Sequence, residues 1–227
     1  MKLFIATPAF DGRVHVPYAI SIMETHTLLA SKGIEVKANI NTSGSLLVAE
    51  RNRLNKAFLA TDCTHMLCVD SDLGWPCHAV LAMLEHDVDF VAGLYPARGE
   101  KRFLFRPVVN EDQSIVKNEK NLLKMNYIPA GFMMIKRHVI ERMNSHFAHL
   151  YFEPKNEKLK SENGYCLFDT EVWEGEFWGE DYVFCRRVRE AGFDIWVDPL
   201  IEFDHAGTRG AFIQALTDKK EEQKVEA

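Results

Sequence analysis

Hydrophobic and polar positions along the chain switch between two periods. Lys2 to Ala6 is a short apolar run, stopped by Thr7-Pro8, and reads as a strand. Pro17 opens a stretch with Ile20, Met23, Thr27 and Leu28 at helical spacing, and Lys32-Gly33 ends it. Ile34 to Ile40 alternates as a strand does, and Thr42 to Ser45 can cap a helix running to about Leu59. His65 to Val69 is fully apolar, delivers Asp70-Ser71-Asp72 at its carboxyl end, and is followed by Pro76 at a helix start. Asp89 to Leu94 is the next strand. Arg98 to Tyr127 is polar and ambiguous. Ile128 to Ile135 reads as a buried strand, Lys136 to Met143 as a helix, Tyr182 to Ala191 as a helix stopped by Gly192, and Phe193 to Val197 as a strand.

Strands separated by helical stretches of this length predict βαβ units with right-handed crossovers. The fold class is therefore α/β, a single Rossmann-like domain with a mostly parallel sheet flanked by helices and a less regular second half. In such sheets ligands sit outside the carboxyl ends of the strands, which brings Thr7, Thr42 and the Asp70-Asp72 pair to one crevice. Glu153 to Glu176 fits no element and suggests a mobile, substrate-covering loop. The domain is expected over 1–217, with a charged tail at 218–227.

Composition narrows the function. The 227 residues are 47% hydrophobic and 26% charged, with a formal net charge of -6, the balance of an ordinary globular protein. An acidic chain without a basic stripe excludes a nucleic-acid partner. Cys63, Cys68, Cys77, Cys166 and Cys185 form no C-x-x-C pair and read as thiols in a reducing compartment. The start, MKLFIATPAF, is too briefly apolar for a secretory signal, and no apolar run is long enough for a transmembrane segment, so a cytoplasmic location is expected.

Asp70 and Asp72 at a strand end offer oxygen ligands to a hard divalent cation; the same spacing also suits a turn that caps the following helix. Here VDSDLGW resembles the DXD motif of GT-A glycosyltransferases, and the stretch NTSGSLLVAERNRLNKAFLATDCTHMLCVDSD resembles the segment leading into it. Arg51-Asn52 stands where family-two-like enzymes carry Ala-Arg-Asn, with Glu50 in place of the alanine. Gly131 to Arg137 is similar to the family's Gly-rich apolar strand, and WGEDYVFCRRVREAG, Trp178 to Gly192, to the acceptor-side Glu-Asp motif of inverting members. Phe203-Asp204-His205 stands at the position of a late metal-binding histidine.

The resemblance covers nearly the whole chain. It implies a GT-A domain with a nucleotide-sugar-binding half at 1–97 and an acceptor-binding half at 98–217. The activity it implies is transfer of a sugar from a UDP- or GDP-type nucleotide-sugar to a hydroxyl of a saccharide or other acceptor, with inversion. Mn2+ or Mg2+ would bridge the diphosphate. Carried over residue by residue, Thr7, Pro8, Asp11, Thr42, Arg51, Asp70, Ser71 and Asp72 contact the nucleotide-sugar, and Asp70, Asp72 and His205 hold the metal. Asp181 is the catalytic base, Glu180 orients the acceptor, and Trp178 stacks on a sugar face. Each has a plainer alternative: Thr7-Pro8 as a strand stop, Arg51 as an exposed helix arginine, Trp178 as core, Glu180-Asp181 as helix caps. Asp181 at a helix start is expected to stay ionised near neutral pH.

Two rival functions fit part of the pattern. A haloacid-dehalogenase-like Mg-dependent phosphatase also uses a strand-end D-x-D, but on its first strand and not after two βα units. A non-catalytic nucleotide-sugar-binding relative would keep the fold, and Asp72, Asp181 and His205 together argue against that.

Overall fold

The computed structural model describes residues 1–42 and 46–217. The chain runs β1 (Lys2–Pro8), α1 (Val16–Ser31), β2 (Glu35–Asn41), α2 (Leu47–Leu59), β3 (His65–Val69), β4 (Leu73–Gly74), α3 (Cys77–Glu85) and β5 (Phe90–Gly93). It continues through β6 (Arg106–Pro107), β7 (Leu123–Tyr127), β8 (Phe132–Lys136), α4 (Arg137–His146) and β9 (Tyr151–Phe152). Then follow β10 (Gly164–Tyr165), β11 (Glu171–Trp173), β12 (Glu176–Trp178), α5 (Glu180–Glu190), β13 (Ile195–Asp198), β14 (Glu202–His205) and β15 (Thr208–Ala211). The proposed helix cap at Thr42 to Ser45 falls largely, and the charged tail wholly, outside the described residues.

Eight strands form the central sheet in the order β2-β1-β3-β8-β5-β13-β7-β6. The β2, β1, β3, β5, β13 and β6 strands run one way, and β8 and β7 are reversed. The sheet is mixed α/β and mostly parallel, as expected. Alternating side chains divide the core between its faces: Leu3, Ile5, Leu67 and Val69 pack against α1 and α3, while Phe4, Ala6, Met66 and Cys68 pack against α2, α4 and α5. β7 lies inside the stretch that looked irregular, because Lys124 and Asn126 alternate with buried Leu123 and Met125.

The helix over α1 is where expected, but it turns a different face inward. Ile20 and Met23 are exposed, while Tyr18, Ser21, Thr25 and Leu29 are buried. The cause is Trp75, whose buried backbone and indole N–H groups both need acceptors. Ser21 Oγ accepts from the Trp75 amide at 2.8 Å and Thr25 Oγ1 from its indole at 3.0 Å.

The segment 153–176 is not a structureless loop. It contributes a short 3-10 helix, β10, which pairs with β9, and β11, which pairs with β12, and Asn52 on α2 hydrogen-bonds both backbone groups of Phe168 within it. A three-stranded sheet, β15-β14-β4, closes the other side, pairing His205 with Leu73 and so placing it beside Asp72.

Candidate active site

The crevice lies at the carboxyl end of β3, between α2, the start of α5 and the turn after β5. Its floor is built on Arg51. This side chain is only 5% exposed, donates to Asp70 Oδ1 at 2.9 Å and to the Ala130 carbonyl at 3.2 Å, and lies 3.8 Å from Glu180 Oε1. Burial opposes its charge, but Asp70, Cys68 and Glu180 more than compensate, so the guanidinium stays protonated. Arg51 is neither the exposed helix arginine nor an open base contact; it ties the strand-end aspartate to the start of α5.

Asp70 is therefore committed to the floor. Its amide donates to the Gly131 carbonyl at 2.9 Å, and the Tyr95 hydroxyl accepts from the Gly131 amide at 3.1 Å. A Cβ at Gly131 would lie 2.2 Å from the Tyr95 hydroxyl and 2.6 Å from Asp70 Oδ2, so only glycine lets these groups close together. Burial, reinforced by Asp70, raises the Tyr95 pKa well above its usual value and keeps the phenol protonated.

Asp72 faces the other way. Its Oδ2 lies 3.2 Å from His205 Nε2 and is paired with Arg98. Burial alone would raise its pKa, but His205 and Arg98 lower it to about 2. His205 Nδ1 lies 2.7 Å from the Pro96 carbonyl, to which it donates, leaving Nε2 directed at Asp72. Burial pulls the His205 pKa down, but Asp72 and the Pro96 carbonyl raise it overall. One carboxylate and one anchored imidazole are donors that could together hold a hard divalent cation. The structure does not add Asp70 to them: among the described residues no group of three His, Cys, Asp or Glu side chains comes together as a metal site.

Gly179 caps α5, whose first turn carries Glu180 and Asp181. Asp181 Oδ1 accepts from the Tyr182 amide at 2.8 Å. The helix start does not hold its pKa at the ordinary carboxylate value, although it leaves the group ionised near neutral pH. Burial first, and the Glu180 charge second, raise it to about 6, overriding the amide dipoles. Trp178 is buried edge-on against Tyr127, ring centroids 4.9 Å apart, so it packs beneath this surface and does not offer a face to a sugar.

The remaining sequence candidates scatter along the rim. Thr7 is fully buried and its hydroxyl bonds Tyr18 at 2.6 Å, so β1 places it under the crevice without a free group to contact a ligand. Pro8 ends the same strand, buried. Asp11 is exposed and caps its own turn through the Arg13 amide at 3.1 Å. Thr42 is exposed just past β2, and the Ser71 carbonyl accepts from the His15 amide at 2.9 Å. Sequence reasoning missed Tyr95 and Arg98. Tyr95 follows a strand carboxyl end, a signal that was available; Arg98 stands in an unpatterned polar stretch and gave none.

No protein-family model matches the chain, and no curated protein matches it in sequence. Among solved structures, S. aureus TarS 1-349 in complex with UDP-GlcNAc superposes with a TM-score of 0.46 at 12% identity, over 87% of this chain and 56% of that one. The nucleoside-diphosphate-sugar pyrophosphorylase from Vibrio cholerae RC9 gives 0.44 at 11% identity, over 91% of this chain and 96% of that one. The inositol-1-phosphate CTP transferase from T. maritima gives 0.40 at 13%, over 86% and 83%. The chain spans little more than half the length of the TarS 1-349 structure. Among the described residues no helix is long and apolar enough to cross a membrane.

Proposed function

We propose that the chain is an inverting glycosyltransferase that moves a sugar from a UDP- or GDP-type nucleotide-sugar to an acceptor hydroxyl, with Asp181 as the base. The observation that supports this reading best is the Arg51 bridge. It draws the strand-end Asp70 and the acceptor-side Glu180 to one guanidinium, so the two motifs face a single crevice.

Asp181 has the properties the step requires. With its pKa raised to about 6 it is ionised at neutral pH yet remains a competent proton acceptor. The acceptor hydroxyl gives its proton to the Asp181 carboxylate as its oxygen bonds to the anomeric carbon. The bond from that carbon to the diphosphate breaks on the opposite face, and the nucleotide leaves with the electron pair. Glu180 lies 3.8 Å from Arg51 Nε, raises the proton affinity of Asp181 and borders the acceptor. Asp72 and His205 would hold Mn2+ or Mg2+, which when bound neutralises charge developing on the diphosphate.

The test is release of free nucleotide from a panel of nucleotide-sugars, with and without acceptors, beside phosphate release from phosphoesters. Asp181→Asn keeps the shape and removes the basicity. Transfer is expected to fall by roughly 10²- to 10⁴-fold with donor binding nearly unchanged. Phosphate release from phosphoesters, or an Asp181→Asn protein that transfers at the wild-type rate, would refute the reading.

A further inference from the structure

The pair formed by Asp72 and His205 is closed by a third group. Arg98 stands at the tip of a tight turn in which the Ala97 amide donates to the Arg102 carbonyl at 2.7 Å, and Gly99, at φ +72°, donates its amide to Thr208 Oγ1 at 2.9 Å. From there the guanidinium reaches both site atoms: one terminal nitrogen pairs with Asp72 Oδ2, and Nε lies 3.4 Å from His205 Nε2. We propose that Arg98 is an exchangeable internal cation, holding the place of the divalent ion between Asp72 and His205 and leaving when that ion binds.

Three observations support the exchange. The first is identity of ligands: a metal at this pair needs the Asp72 oxygen and the His205 Nε2 lone pair, the same two acceptors that Arg98 engages. The second is charge. His205 Nδ1 donates to Pro96, so Nε2 faces an Asp72 carboxylate oxygen 3.2 Å away, and the fixed positive charge of the Arg98 guanidinium lies against both atoms, where a divalent cation would supply the same charge. The third is accessibility. The Arg98 side chain is 67% exposed while Asp72 is buried, so the arginine can return to water at little cost and the aspartate cannot.

This inference rests on the reading that Asp72 and His205 hold the cation, and the experiment separates the two. Mn2+ is titrated into the full-length protein without nucleotide, and binding is followed by electron paramagnetic resonance of free Mn2+. The proteins compared are wild type, Arg98→Ala, Arg98→Lys, Asp72→Asn and His205→Ala. Removing the competing charge is expected to tighten Mn2+ roughly tenfold in Arg98→Ala, the equivalent of one charge-assisted hydrogen bond. Arg98→Lys, which keeps the charge, stays near wild type, and Asp72→Asn and His205→Ala lose the site. Unchanged or weaker binding by Arg98→Ala, with the other two losing it, overturns the exchange and leaves the metal reading standing. Equal tightening by Arg98→Lys also overturns it, because the gain would then come from a loosened turn. If Asp72→Asn and His205→Ala bind Mn2+ like wild type, the metal reading falls and the exchange with it.

Discussion

Two arginines stand on opposite sides of the crevice, each paired with one aspartate of the Asp70-Ser71-Asp72 sequence, and they are held in different ways. Arg51 is 5% exposed and held by hydrogen bonds to Asp70 and the Ala130 carbonyl, with Glu180 3.8 Å from its Nε, on three separate segments. Arg98 is 67% exposed and sits at the tip of a turn. The same ion-pair chemistry is thus a brace on one side and a removable contact on the other, and burial makes the difference. One aspartate is spent on architecture, which leaves the other for ligand chemistry.

The comparison breaks most readily at the brace. Replacing Arg51 with methionine strands the Asp70 carboxylate beside a buried apolar chain and leaves the Ala130 carbonyl without its donor. A loss of about 3–5 kcal/mol is expected, the usual result of removing one partner of a buried pair. Urea denaturation monitored by circular dichroism measures it. A loss under 1 kcal/mol would mean that Arg51 and Arg98 are equivalent after all.

Gly131→Ala attacks the same side without touching a charge. The added methyl meets the Tyr95 hydroxyl and Asp70 Oδ2 at distances no Cβ tolerates, and both neighbours are themselves held, Asp70 by Arg51 and Tyr95 by burial. The expected cost is about 1–3 kcal/mol, as for overpacking elsewhere. Nucleotide affinity, read by isothermal titration, should fall with it. Unchanged stability and affinity would show the floor to be more yielding than drawn here.

How much of this was legible in the sequence depends on what fixed each residue. The strand at His65 to Val69 announced itself because it is buried on both faces, and the aspartates at its end followed. The start of α5 was marked by Gly179 and two carboxylates. The inward face of α1 was misjudged, because a buried Trp75 that needs hydrogen-bond acceptors reverses the usual preference for apolar residues. Arg51 left two readings open, and only the packing of α2 over Ala130 decided between them. Arg98 gave no signal, since its place follows from the pairing of β14 with β4, which brings His205 beside Asp72 and leaves the turn after β5 above both.

The acid limb of the rate profile sharpens the comparison from the acceptor side. Under the proposed mechanism Asp181 acts ionised, so kcat/KM should rise with pH through about 6 and fall about tenfold for each unit below it. Glu180→Gln removes the charge that helps raise the Asp181 pKa, so the limb should move to lower pH by less than one unit, burial being the larger cause. A shift to higher pH, or none, would show that Glu180 does not influence Asp181.

The smallest effect is expected at the exchangeable arginine, and it completes the contrast. Arg98→Ala removes a partner of buried Asp72, which by itself would be costly, but the vacated side of the carboxylate opens to solvent because the guanidinium was already largely exposed. Water then replaces one charge-assisted hydrogen bond, and the His205 ring stays 3.2 Å from the carboxylate. The expected change is under about 1 kcal/mol in the same urea measurement that registers about 3–5 for Arg51→Met. A loss as large as that at Arg51 would make Arg98 a second brace, and a guanidinium bound so firmly could not yield its place to a divalent ion.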